Sequence, residues 1–143
     1  MEGNVLAISN PYQQYKKTQI DTANQGKLIV MLYDGAIKFI NIAIDLIPSR
    51  SIEKIHNNIM KAQDIINELI TSLNMEVGEI SEKLFSIYMY IKKKLIEANI
   101  KKEAAPLLEV RDYLIALRDA WEEAAKKAPI EKKDDDGGVN IAT

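Results

Sequence analysis

At 143 residues the chain carries enough apolar material for one core and too little for two ordinary domains. Its 19 basic and 21 acidic side chains leave a net charge of −2, which calls for neither nucleic acid nor a membrane surface as partner. The absence of cysteine excludes disulfides, thiolate metal sites and thiol nucleophiles and fits a reducing compartment, and a single histidine, His56, leaves little scope for metal chemistry. Val5 to Ile8, the only apolar run near the start, is too short for a signal peptide or a membrane span, so a cytoplasmic location is expected.

Residues 1–23 are polar, with scattered anchors at Tyr12, Tyr15 and Ile20. From Asn24 onward, apolar residues recur at alternating steps of three and four, which places them on helix stripes, and no strand alternation competes. Prolines at 11, 48, 106 and 129 punctuate the chain, because proline is tolerated at helix starts and in links but not in helix interiors.

The first helix is predicted over Gln25 to Ile47. After its first turn the polar positions are Asp34, Lys38, Asn41 and Asp45, which share a strip of roughly 60°. A helix facing one core needs an apolar stripe a little over 100° wide, so this one has two further apolar flanks. One holds Val30, Tyr33, Ile37 and Ile44; the other holds Leu28, Met31, Ile42 and the small Gly35.

The second helix follows Ser51, a candidate cap, with the stripe Ile52, Ile55, Ile59, Ala62, Ile66, Leu69 and Leu73. Gly78 suits its C-terminal break. The third has Ile80, Leu84, Ile87, Ile91, Leu95 and Ala98 and a basic end at Lys101 and Lys102. The fourth runs through Leu107, Val110, Leu114, Leu117, Trp121, Ala124 and Ala128, with Pro106 in its first turn and Pro129 past its end. Residues 129–143, with three consecutive aspartates and two glycines, have little to bury and are expected to be disordered. The fold class that follows is all-α, an antiparallel up-and-down four-helix bundle over 24–128, with a detachable N-terminal cap segment and a disordered C-terminal tail.

Little in the chain suggests catalysis. Glu53 and His56 have the Glu-x-x-His spacing of di-iron bundles, yet such a site needs a second histidine, and both residues lie one step past core positions. Solvated side chains are the simpler reading. Neither a nucleophile elbow nor a glycine-rich phosphate loop is present, so no catalytic residue, metal ligand or cofactor is assigned. Lys92, Lys93 and Lys94 fan out around a helix and read as a solvated face. Phe39 and Trp121 read as core. Phe85, Met89 and Tyr90 lie off the main stripe of the third helix, where they either cover a groove or line one.

Each large apolar side chain left in water forgoes about 1.5–3 kcal/mol of burial, so a whole flank forgoes an amount comparable to a domain's net stability. The chain's own N-terminal segment, a second copy or another chain must cover it. Tyr12 and Tyr15, followed by Ile20, could lay one aromatic edge on the bundle while polar neighbours keep the segment detachable.

Several stretches, in order, resemble one family. They are Asn10-Pro11-Tyr12-Gln13-Gln14-Tyr15, Asp21-Thr22-Ala23 and Met31-Leu32-Tyr33-Asp34-Gly35, then Lys61 to Leu69, Glu97 to Lys101 and Arg118-Asp119-Ala120-Trp121. Together they look like FliS, the flagellin-specific export chaperones, over almost all of the chain except the tail. The resemblance implies a non-enzymatic cytoplasmic chaperone that binds the disordered C-terminal segment of flagellin, prevents premature filament assembly, and leaves room for contacts with the export apparatus or regulatory proteins. It makes Tyr12 and Tyr15 candidates for a movable cap. It makes Leu28, Val30, Met31, Tyr33 and Ile37 candidates for contact with cap, core and client, beside Phe85, Met89 and Tyr90. Where the family usually has Ser/Thr-Pro-x-Glu, this chain reads Asn24-Gln25-Gly26-Lys27, without the first-turn proline and capping glutamate, so a frayed helix start is expected. The alternative reading is a self-associating bundle, a homodimer with a structural or adaptor role.

Overall fold

In the computed structural model the described residues, 25–127, form four α-helices: α1 Gln25–Leu46, α2 Ile52–Thr71, α3 Glu79–Lys101 and α4 Ala104–Lys127. A 3-10 turn, Met75–Val77, lies between α2 and α3, and no strand occurs among the described residues. The expected cap segment 1–23, the helix cap Asn24, and the tail with Ala128 and Pro129 lie outside the described residues.

The links are short and locally bonded. Past α1, Ser49 N–H and Arg50 N–H donate to the carbonyls of Leu46 and Ile47 at 3.1 and 3.0 Å, and Arg50 takes a left-handed φ of 58°. Ser51 does not cap α2 with its side chain. Its hydroxyl pairs with that of Ser49 at 2.9 Å, while its carbonyl accepts from Ile55 N–H. Gly78 does not end α2 either. That helix stops at Thr71, and Gly78 stands directly before α3 with φ 95°, a backbone region closed to most side chains. Between them Asn74 Oδ1 accepts Glu76 N–H at 3.0 Å, and Ser81 Oγ donates to the Asn74 carbonyl at 2.7 Å. Lys102, with φ 55°, closes α3 by donating its N–H to Ala98 O at 2.7 Å.

By compactness the described chain divides into 30–120 and a smaller pairing of 25–29 with 121–127. In the smaller unit, a Cβ placed on Gly26 would stand 3.3 Å from Ala125 Cβ, so α1 and α4 touch closely there. In the larger unit each helix meets two neighbours. On the α1–α2 side, a Cβ at Gly35 would lie 3.1 Å from Ile65 Cδ1, and Lys61 Nζ stands 5.3 Å over the Phe39 ring. His56 bonds to Asn99 between α2 and α3. Tyr90 meets Tyr113, and Lys94 meets Glu109, between α3 and α4. Arg111 donates to Asn41 at 2.8 Å and Arg118 to Asp34 at 3.0 Å between α4 and α1. In the α1–α2, α3–α4 and α4–α1 pairs, rising numbers on one helix meet falling numbers on the other, which defines antiparallel neighbours in an up-and-down bundle.

The core is one stripe per helix: Ile29, Tyr33, Ala36, Ile40 and Ala43 on α1; Ile55, Ile59, Ala62, Ile66 and Leu69 on α2; Tyr88, Ile91, Leu95 and Ala98 on α3; Leu107, Val110 and Leu114 on α4. The expected stripe of α3 is shifted in its first half. Tyr88 takes the buried place, with Ile87 half-buried and Ile80 66% exposed. Ile52 is likewise exposed, and Leu117 and Trp121 are half-buried.

Candidate functional site

The flanks of α1 are decided by its neighbours. Val30, Ile37 and Ile44 lie on the side that Asn41–Arg111 and Asp34–Arg118 turn toward α4, and all three are half-buried. Tyr33 is a correction. It belongs to the core stripe rather than to a surface flank, is fully buried, and its hydroxyl meets that of Tyr88 at 2.5 Å across the interior. A step of four from Ile29 places it there, and burying a phenol is tolerable because its O–H finds a partner. On the α2 side, Leu28 is half-buried and Gly35 admits Ile65, while Met31 stays 63% exposed and Ile42 36% exposed. The exposed surplus of α1 therefore shrinks to those two side chains, while the half-buried flank residues keep only an edge in water.

The longest run of uncovered apolar side chains lies on α3 instead. Phe85, Met89, Ile96 and Ile100 are all exposed, and with Lys92 they follow i, i+4, i+7, i+11 and i+15 spacing. That stripe runs roughly 110° around the helix from the buried one, on the side where Asn99 meets His56. At its C-terminal end it opens into a groove of about 300 Å³ lined by His56, Met60, Gln63, Ile96, Asn99, Ile100 and Lys102. Tyr90 does not share this edge with Phe85 and Met89. It faces α4, where its hydroxyl donates to Glu109 Oε2 at 2.6 Å and its ring meets Tyr113 edge-on at 5.8 Å.

Sequence reasoning thus found two of the four apolar residues on the stripe and missed Ile96, Ile100 and Gln63. The signal was present: a second run at helical spacing beside the core run. It was obscured because the expected core stripe of α3 began one residue out of place. Tyr12 and Tyr15 lie outside the described residues.

The electrostatics are those of a surface. Lys94 and Lys101 donate to Glu97 and hold its carboxyl below the usual range, Lys94 having the larger effect. The hydrogen bond to Glu109 raises the Tyr90 phenol. Among the described residues no cluster of three His, Cys, Asp or Glu side chains could hold a metal ion, and no helix is long and apolar enough to cross a membrane.

An uncovered apolar stripe beside an open groove on a helical bundle is the kind of surface on which binding proteins receive another chain. Comparison with known proteins gives that class a family. The model for the flagellar protein FliS matches residues 8–128. The flagellar secretion chaperone FliS of Bacillus subtilis is 39% identical over 137 residues, covering 96% of this chain and 100% of that one. Those of Campylobacter jejuni and Escherichia coli are 30% and 27% identical, covering 78% and 76% of this chain and 88% and 81% of theirs. The chain belongs to the FliS family, whose members are export chaperones and not enzymes.

Proposed function

We propose that the protein acts in the cytoplasm, holds the disordered C-terminal region of flagellin on its exposed apolar faces, and so prevents polymerisation before export. The observation that carries this reading is the stripe Phe85, Met89, Ile96 and Ile100, left in water on a chain of this family. A client that folds only on binding loses ordering entropy and needs a long apolar track to offset it, and such a track stays separable because its own stability never depended on the client.

In this reading Phe85 and Met89, with Met31, contact the client directly. Leu28, Val30 and Ile37 present their uncovered edges, Tyr90 borders the α4 side, and Tyr33 supports the surface from within. Residues 1–23, through Tyr12 and Tyr15, serve as a cover that the client displaces. Methionine suits such a surface because its unbranched thioether adapts to irregular partners.

The test is a titration of a flagellin C-terminal segment into the full chain, followed by Trp121 fluorescence and by calorimetry at several temperatures. Binding at micromolar concentration or tighter, with a negative heat-capacity change, is the expected result. No binding at micromolar concentration, or binding without that change, overturns the reading. Amide exchange in residues 10–20 as slow as in the α2 core, before and after client binding, overturns the displaceable cover.

A further inference from the structure

Within the groove between α2 and α3, one side chain is out of keeping with its surroundings. Gln63 is only 9% exposed, lines the groove, and has no side-chain hydrogen bond among the described residues. A buried amide without a partner is costly, and the apolar residues at equivalent depth on α2 show that the position could be filled by an aliphatic side chain.

The lysines of α3 divide in a matching way. Lys83 pairs with Glu79, Lys94 with Glu97 and Glu109, and Lys101 with Glu97. Lys92 and Lys93, the two that lie on and beside the exposed apolar stripe, have no carboxylate partner among the described residues, and Lys92 is half-buried. Asp64, next to Gln63 in sequence, sits about 100° round α2 from it and makes no ion pair with either lysine.

We propose that this surface docks an amphipathic helix of a partner protein, with acidic side chains along both edges of its apolar face, one toward Lys92 and the other toward Lys93 on the opposite side of the stripe, and one hydrogen-bonding side chain within that face, read by Gln63. The inference rests on the reading that the protein holds a client, and it specifies the chemistry that a segment must have to fit this part of it. The stripe from Phe85 to Ile100 is about 22 Å long, the length of a fifteen-residue helix. An apolar segment lacking the polar group leaves Gln63 buried and unpaired, so the groove discriminates by one hydrogen bond as well as by area. A basic segment meets two uncompensated lysines.

The experiment uses the full chain and three synthetic 18-residue helical peptides. The first has leucines at i, i+4 and i+11, glutamine at i+7, and glutamates along both edges of that face. The second replaces the glutamates with lysines, and the third replaces the glutamine with leucine. The first is expected to bind about tenfold more tightly than the second at low salt, an order that K92E/K93E reverses and K83E leaves unchanged. The first is also expected to bind about fivefold more tightly than the third, a preference that Q63L removes while the melting temperature is kept or raised.

Equal affinities for all three, no binding at millimolar concentration, or the same response to K83E as to K92E/K93E would overturn the proposal. So would a dimer in sedimentation that the peptides do not dissociate, which assigns the face to a second copy. A flagellin segment that binds the wild type and the Q63L and K92E/K93E variants equally defeats this inference alone. Peptides that behave as expected beside a flagellin segment that fails to bind defeat only the choice of client.

Discussion

Tyr88 shows how one buried hydroxyl makes stability depend on pH. Burial, partly offset by the bond to Tyr33, raises its pKa above the ordinary 10.0. The folded state therefore keeps the proton to higher pH than the unfolded state does, so this contribution is complete below pH 10 and is lost as pH rises toward the folded value. Chemical denaturation between pH 8 and 11 should show stability falling in the alkaline range. Y88F should lower stability at pH 8 by about 1–3 kcal/mol, because it removes one hydroxyl of a buried pair, and should flatten the alkaline fall. Lys27 offers a second test. It is exposed in the first turn of α1, which has no acidic residue, and so sits at the positive end of the helix dipole. K27E should stabilise by a few tenths to about 1 kcal/mol, read as a shift in denaturation midpoint; a loss would reveal a partner for this lysine.

At the scale of elements, the links between helices were the least legible part of the chain. Ser51 has the residue type of a cap, yet its hydroxyl bonds to Ser49, because the sharp turn at Arg50 brings the two serines together. Arg50 adopts its left-handed φ without a side-chain hydrogen bond or ion pair among the described residues, so R50G should raise stability by about 0.5 kcal/mol, the left-handed strain relieved outweighing the entropy that glycine adds to the unfolded chain. Thermal melts of the two proteins decide it. Helix existence was readable from periodicity at every one of α1 to α4, since a three/four rhythm has no other economical reading. The register of α3 was not, because Ile87 and Tyr88 are adjacent and both can be core residues. The 2.5 Å bond from Tyr33 selects Tyr88.

For the whole molecule, stability and client binding should separate by position. Ile96 is 44% exposed on the stripe, whereas Leu95, its neighbour, is fully buried. L95A should cost about 2–5 kcal/mol, the usual range for truncating a buried leucine. I96D should change stability by less than about 1 kcal/mol, because its side chain is already half in water. The same substitution should weaken binding of a flagellin segment by about tenfold or more, since it places a charge in an apolar contact. Loss of folding in I96D, or undiminished binding, would remove Ile96 from the docking surface.

The sequence by itself determined four helices, their order, and the presence of more apolar surface than one stripe per helix requires, because these depend on spacing along a single chain. It placed that surplus on α1, where it is densest. Only tertiary structure decided otherwise: α2 and α4 stand on either side of α1 and partly cover its flanks, and Tyr33 turns inward to Tyr88. What stays uncovered on α3 depends on which neighbours come close enough to exclude water, a distance between helices that no spacing within one helix records.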